Sequence, residues 1–187
     1  GLINASRTHL PMLFTAGRTP TTESGLKGSR SSAIHWAQES FDQGSMVREW
    51  VKWDYELRPG VDLEGVVDRA LALAGSDPQG PVYLTLPREV IAEERTGFTY
   101  AADPRMTSPR SVAAPEAIQR AARVLAQARN PIAITRMIGK DPATVPPLVC
   151  LAETLNLPIF DGGATHMNFP YSHRLHQPGR AEPHIEQ

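Results

Sequence analysis

The sequence predicts an α/β fold, a parallel sheet followed by the start of a second, Rossmann-like unit. Three observations carry this. Short apolar runs closed by Gly or Pro alternate along the chain with longer segments whose apolar residues recur at helical spacing. The apolar runs are nearly continuous, as in strands covered on both faces of a parallel sheet. A composition of 41% hydrophobic and 21% charged residues over 187 positions suits one large or two small globular domains.

The chain opens in what reads as helix, Gly1-Leu2-Ile3-Asn4-Ala5. Residues 11–17, Pro-Met-Leu-Phe-Thr-Ala-Gly, form the first buried strand. Residues 18–33 are rich in Gly, Ser, Thr and Arg; a loop of that length in a compact domain is usually functional or disordered. A short helix over residues 38–46 and an extended piece over 47–53 follow. Asp62 is placed to cap a helix that puts Leu63, Val66, Val67, Ala70, Leu71 and Ala74 on one face. Asp77-Pro78-Gln79-Gly80 ends it, and residues 81–86, Pro-Val-Tyr-Leu-Thr-Leu, give the next strand, stopped by Pro87.

Residues 92–114 mix charges and prolines without helical or strand period, the mark of an interdomain linker. Pro115 and Glu116 open a helix with Ile118, Ala122, Leu125 and Ala126 on one face, ended near Asn130. A strand at 132–135, a helix from about 145 to 155 and a strand at 157–160 make a β-α-β unit.

Nineteen basic and twenty acidic residues leave a net charge of -1, so no field of one sign is available to hold nucleic acid or an anionic membrane. The longest apolar runs fall far short of the roughly 20 residues of a membrane-spanning helix. No charged-then-apolar leader opens the sequence, so a cytoplasmic location is the expectation. The single cysteine, Cys150, excludes an internal disulfide and a multi-cysteine zinc site. Its apolar run, residues 147–151, marks it as a buried structural thiol. Both ends read as cuts through structure, with a helix just beginning at Pro183-His184-Ile185-Glu186-Gln187.

The ordered set of segments resembles a known family. Gly1-Leu2-Ile3-Asn4-Ala5, then residues 11–17, Gln38-Glu39, Val51-Lys52-Trp53, and Gly80-Pro81-Val82-Tyr83-Leu84-Thr85-Leu86-Pro87-Arg88-Glu89-Val90 are similar to the second half of the pyrimidine-binding domain of thiamine-diphosphate-dependent enzymes of the acetolactate synthase type. Residues 115–160 resemble the opening of the same family's central domain. The resemblance implies a partial pyrimidine-binding domain over 1–91, a linker over 92–114 and a partial central domain over 115–187. It also implies thiamine diphosphate and Mg2+ as cofactors of the intact enzyme, a 2-keto acid as substrate, and a homodimer or homotetramer as assembly. In that family the cofactor-activating glutamate lies upstream of any segment matched here. The Gly-Asp-Gly motif for diphosphate and magnesium lies in a third domain with no counterpart here. The expectation is therefore a fragment that is inactive alone.

Gln38 matches a family glutamine lining the substrate and cofactor channel, where an amide orients a carboxylate or carbonyl without adding charge; the plain alternative is a helix-capping side chain. Ala37, preceded by Trp36, replaces the family's common Phe and alters the pocket. Lys52 matches a lysine at the channel mouth that would attract anionic keto acids, against the alternative of a solvated surface lysine. Arg30 and His35, in the loop before Gln38, are candidates to contact a substrate carboxylate.

Asp161-Gly162-Gly163 is read as a βα loop, since Asn168 stands too close for the magnesium motif. His166, His173, His176 and His184 lie in irregular chain and are assigned exposed or capping roles. His176-Gln177-Pro178-Gly179-Arg180 stands where acetolactate synthases carry a segment holding FAD, so FAD is not expected. The alternative function is a non-catalytic nucleotide-binding or subunit-interface module. Against the nucleotide version, Arg136-Met137-Ile138-Gly139-Lys140 after the strand at 132–135 lacks a G-x-G-x-x-G phosphate cradle.

Overall fold

The computed structural model describes residues 1–97, 99–100, 111–179, 181 and 185. They fall into two compact units, Gly1–Ser111 and Val112–Gln187, each with a three-stranded parallel sheet. The boundary lies inside the interval read as linker, yet the first part of that interval is packed on the first unit. Arg95 donates to the Val61 carbonyl at 2.7 Å and pairs with Glu64, and the Tyr100 hydroxyl donates to Asp68 at 2.5 Å. That bond to Asp68, and burial with it, hold the Tyr100 phenol above its ordinary range.

The first unit runs α1 (Leu2–Arg7), β1 (Leu13–Arg18), α2 (Ile34–Ala37), β2 (Asp54–Glu56), α3 (Leu63–Gly75), β3 (Val82–Pro87) and α4 (Arg88–Ile91). Its sheet has the order β1-β3-β2, with Leu13 beside Val82 and Asp54 beside Tyr83. Val82 and Leu84 of central β3 are buried with Leu57, and α3 contributes Val66, Ala70 and Ala74 to the same core. Asp62 caps α3 as the sequence indicated, its carboxylate accepting from the Gly65 N–H at 3.0 Å. Leu71, assigned to the apolar face, is exposed.

Residues 38–53 differ from expectation. Gln38 is the C-cap of α2, and the helix over 38–46 does not form. Asp42 accepts from the Ser45 N–H while Ser45 Oγ donates back to the Asp42 carbonyl, a local turn that competes with helix. Arg48 then grips Asp42 and Asp54 together. The chain passes through two single 3-10 turns, Gly44–Met46 and Arg48–Trp50, so that the extended piece expected over 47–53 is extended only from Val51 onward.

The second unit runs α5 (Pro115–Gln127), β4 (Ala133–Ile134), α6 (Val145–Leu155), β5 (Ile159–Phe160) and β6 (His176–Gln177), with sheet order β4-β5-β6. α6 crosses from β4 to β5 and ends on Asn156 in the left-handed region, φ 49°. Leu148, Ala152, Leu157, Ile159, Phe169 and Leu175 form the core.

Two expectations fail here. Cys150 is exposed, because α6 buries the face of Leu148 and Ala152 and position 150 points away from it. The apolar face of α5 is also largely exposed, with Ile118, Ala122 and Ala126 open and Leu125 half-buried. β4 is an edge strand among the described residues, so no neighbouring strand broadens the sheet on that side. Of the expected terminal helix only Ile185 is described, and His184 and Arg180 lie outside the described residues. No helix among the described residues is long and apolar enough to cross a membrane.

Candidate functional site

Parallel sheets in α/β folds offer their ligand sites at the carboxyl ends of the strands. In the first unit that edge carries Arg18 at the end of β1, Glu56 at the end of β2, and Arg88 just after β3. A cleft of about 480 Å³ opens there, lined by the apolar Gly17, Leu86, Ile91 and Ala92 and by the basic Arg18, His35 and Arg88.

The long loop over 18–33 is fastened to this edge. Glu89 of α4 is buried, with 3% of its surface exposed. Its Oε1 accepts from the N–H groups of Thr21 (2.7 Å) and Thr22 (3.1 Å) and from the Thr21 hydroxyl. Burial pushes the Glu89 carboxyl upward, but the Thr21 hydroxyl and surrounding backbone N–H groups outweigh it and hold the group below its ordinary value. Gly28 presses on the same helix: at φ +90°, a Cβ there would lie 2.9 Å from the Glu89 Cα.

Arg30 closes the far side of the loop. Its side chain is only 4% exposed and binds Glu39 at 2.5 Å and Glu23 at 3.3 Å, while its guanidinium lies 5.7 Å from the Trp36 ring centre. The bond to Glu39 raises the Arg30 pKa, and the same bond lowers that of Glu39. Arg18 pairs with Glu56 and Glu39.

The four residues singled out in the sequence do not converge. His35 lines the cleft. Arg30 lies beside it, donating to the His35 carbonyl at 3.5 Å, but is occupied by two carboxylates. Gln38 is exposed at the end of α2. Lys52 lies at the amino end of the sheet, its N–H bonded to the Pro81 carbonyl just before β3. Its Nζ donates to the Ser76 carbonyl (2.7 Å) and hydroxyl (2.5 Å) at the end of α3, and burial lowers its pKa. The residues the sequence reading passed over are Arg18, Arg88 and Glu89. Their signal was position: each stands at or just past the carboxyl end of an apolar run, where α/β sheets place ligand-binding groups.

In the second unit, Asp161 follows β5 as a loop residue. It is buried and its Oδ1 is 2.9 Å from His176 Nε2, whose ring packs edge-on against Tyr171. His173 is bonded to Glu153 and packs against Phe169, and His166 is bonded to Thr165. These three histidines are half-buried and locally bonded, and His173 Nδ1 also accepts from the Leu175 N–H. Gly139 is used for chain packing: a Cβ there would run into the Met167 carbonyl.

No group of three His, Cys, Asp or Glu suited to a metal occurs among the described residues. Among the described carboxylates, Asp161 is bonded to His176, and Glu89 to Thr21 and Thr22.

No protein-family model matches the chain. The chain is 27% identical over 176 residues to benzoylformate decarboxylase of Pseudomonas aeruginosa, covering 92% of this chain and 31% of that protein. It is 28% identical over 171 residues to sulfoacetaldehyde acetyltransferase of Rhodobacter capsulatus, covering 89% and 26%. Among solved structures it superposes on benzoylformate decarboxylase from Polynucleobacter necessarius with a TM-score of 0.73 at 27% identity, covering 94% of this chain. The fold is also that of a putative thiamin diphosphate-dependent enzyme from Mycobacterium smegmatis, with TM-score 0.71, 24% identity and 94% of this chain covered. The chain is thus similar to a decarboxylase and an acetyltransferase and has the fold of a thiamin diphosphate-dependent enzyme. It spans about a third of the length of the relatives it matches. The similarity is to a decarboxylase and an acetyltransferase, and it does not single out the acetolactate synthase subtype.

Proposed function

We propose that these residues form part of a thiamine-diphosphate-dependent enzyme acting on 2-keto acids, by decarboxylation or by acetolactate-synthase-like carboligation. The observation that supports this is the similarity, over about nine tenths of the chain, to a benzoylformate decarboxylase and a sulfoacetaldehyde acetyltransferase, together with the fold shared with thiamin diphosphate-dependent enzymes. Benzoylformate, named in two of the relatives, is itself a 2-keto acid.

Within such an enzyme the first unit contributes a cleft wall and its fastened loop, and the second a scaffold. Thiamine diphosphate, when bound, supplies the nucleophilic carbon of the reaction. On this reading the diphosphate and magnesium belong to a domain other than the two matched here. Assembly as a homodimer or homotetramer belongs to the same proposal.

The test is consumption of pyruvate and of benzoylformate by the purified chain with thiamine diphosphate and Mg2+. No turnover is expected. Turnover at the rate of an intact enzyme would show that these 187 residues suffice, and would overturn the assignment of the cofactor machinery to other parts.

A further inference from the structure

We propose that a second cleft of the first unit, walled by Leu26, Pro59 and Ala92, binds a small primary ammonium ion with a short apolar body, Glu89 accepting from its head. The inference goes beyond the thiamine reading and does not rest on it. The cleft has a volume of about 510 Å³, within the range of small-molecule sites, and Glu89 forms part of its wall. The two oxygens of that carboxylate are in different states. Oε1 is taken up by Thr21 and Thr22. Oε2 is buried and has no hydrogen-bond partner among the described residues. Buried polar atoms in folded proteins are nearly always paired, and an ionised oxygen buried without a donor is costly. With its carboxyl held below the ordinary range, Glu89 is charged at neutral pH, so the partner that suits it is a cationic donor.

The charges around the cleft point the same way. The lining cation, Lys27, is already paired with Glu94. Glu93 also lines the cleft and is in no ion pair among the described residues. Arg30 attracts Glu89 only through space, being bonded to Glu39 and Glu23. Glu89 and Glu93 are therefore two carboxylates at one cleft with no bonded cation.

An organic cation fits this wall better than a metal ion. Among the described residues no three His, Cys, Asp or Glu come together as ligands. The remaining wall, Leu26, Pro59 and Ala92, is apolar. A primary ammonium gives Glu89 Oε2 a charge-assisted N–H bond and turns a short alkyl body to that wall.

The experiment is a titration of the whole chain with n-butylammonium at constant ionic strength. It is followed by the amide resonances of Thr21 and Thr22, whose N–H groups share the Glu89 carboxylate. A saturable shift is expected. Affinity is expected to be at least about ten-fold lower for 1-butanol, which lacks the charge, for tetramethylammonium, which lacks the N–H, and in Glu89→Gln. Leu26→Ala trims the apolar wall at an exposed position and leaves every charge in place. It is expected to weaken n-butylammonium about three-fold and to leave methylammonium unchanged. Equal binding of 1-butanol or tetramethylammonium would overturn the proposal, as would displacement of n-butylammonium by equimolar Ca2+. So would an unchanged affinity in Glu89→Gln or Leu26→Ala, or the absence of any saturable shift in the parent chain. If Glu89→Gln does not fold, the ligand series and Leu26→Ala decide the matter without it.

Discussion

Glu89 shows how one side chain orders a segment that composition alone leaves open between functional and disordered. It is buried and engages Thr21 and Thr22, sixty-odd positions earlier. Replacing it with alanine leaves those N–H groups unpaired. A loss of about 1–3 kcal/mol is expected in urea unfolding of the first unit. Because its folded pKa is depressed, the contribution is fully present above the ordinary carboxylate value of about 4.3 and is lost as pH falls through the lower folded value. Protection factors at the Thr21 and Thr22 amides are therefore expected to hold from neutral pH into the ordinary carboxylate range and to fall as pH drops through the lower folded value. Protection unchanged in Glu89→Ala would contradict the account. Arg30 was legible as an arginine in a loop near the site, but not as one already paired. Burial and partners come from residues 23 and 39 folding back, which no spacing rule reports.

At the scale of elements, much was readable where a local device fixes the boundary. Asp62 sets the start of α3 and Pro115 that of α5, whereas the left-handed Asn156 that ends α6 was not read as a cap. Asp62→Ala is expected to cost about 0.5–2 kcal/mol, read by thermal or urea unfolding. Leu84→Ala in central β3, where the side chain is fully buried, is expected to cost about 2–5 kcal/mol. The loop is a separate case. Gly28→Ala places a Cβ against the Glu89 Cα from a left-handed backbone, so it is expected to raise exchange at Thr21 and Thr22 as Glu89→Ala does while leaving the α3 amides protected. What the periodicity missed had physical causes. Residues 38–53 follow side-chain-to-backbone bonds of Asp42 and Ser45 and the grip of Arg48 on two aspartates. Cys150 was misplaced because α6 is apolar on more than one face, and sequence alone does not say which face is covered.

For the whole molecule, the sequence changes character between residues 92 and 114, and the structure divides into two compact units at Ser111. The candidate site was only half visible. His35 was named from the sequence, whereas Arg88 and the apolar wall needed the register of β1 beside β3, which brings Arg18 level with Pro87. The central claim is that these residues serve as part of a thiamine-diphosphate-dependent enzyme. It is tested most directly by substituting them for the matching third of Pseudomonas aeruginosa benzoylformate decarboxylase. Decarboxylation is then measured against added thiamine diphosphate in a chimera verified to unfold cooperatively. The account predicts cofactor-dependent turnover. A folded chimera that neither binds thiamine diphosphate nor decarboxylates benzoylformate would contradict it.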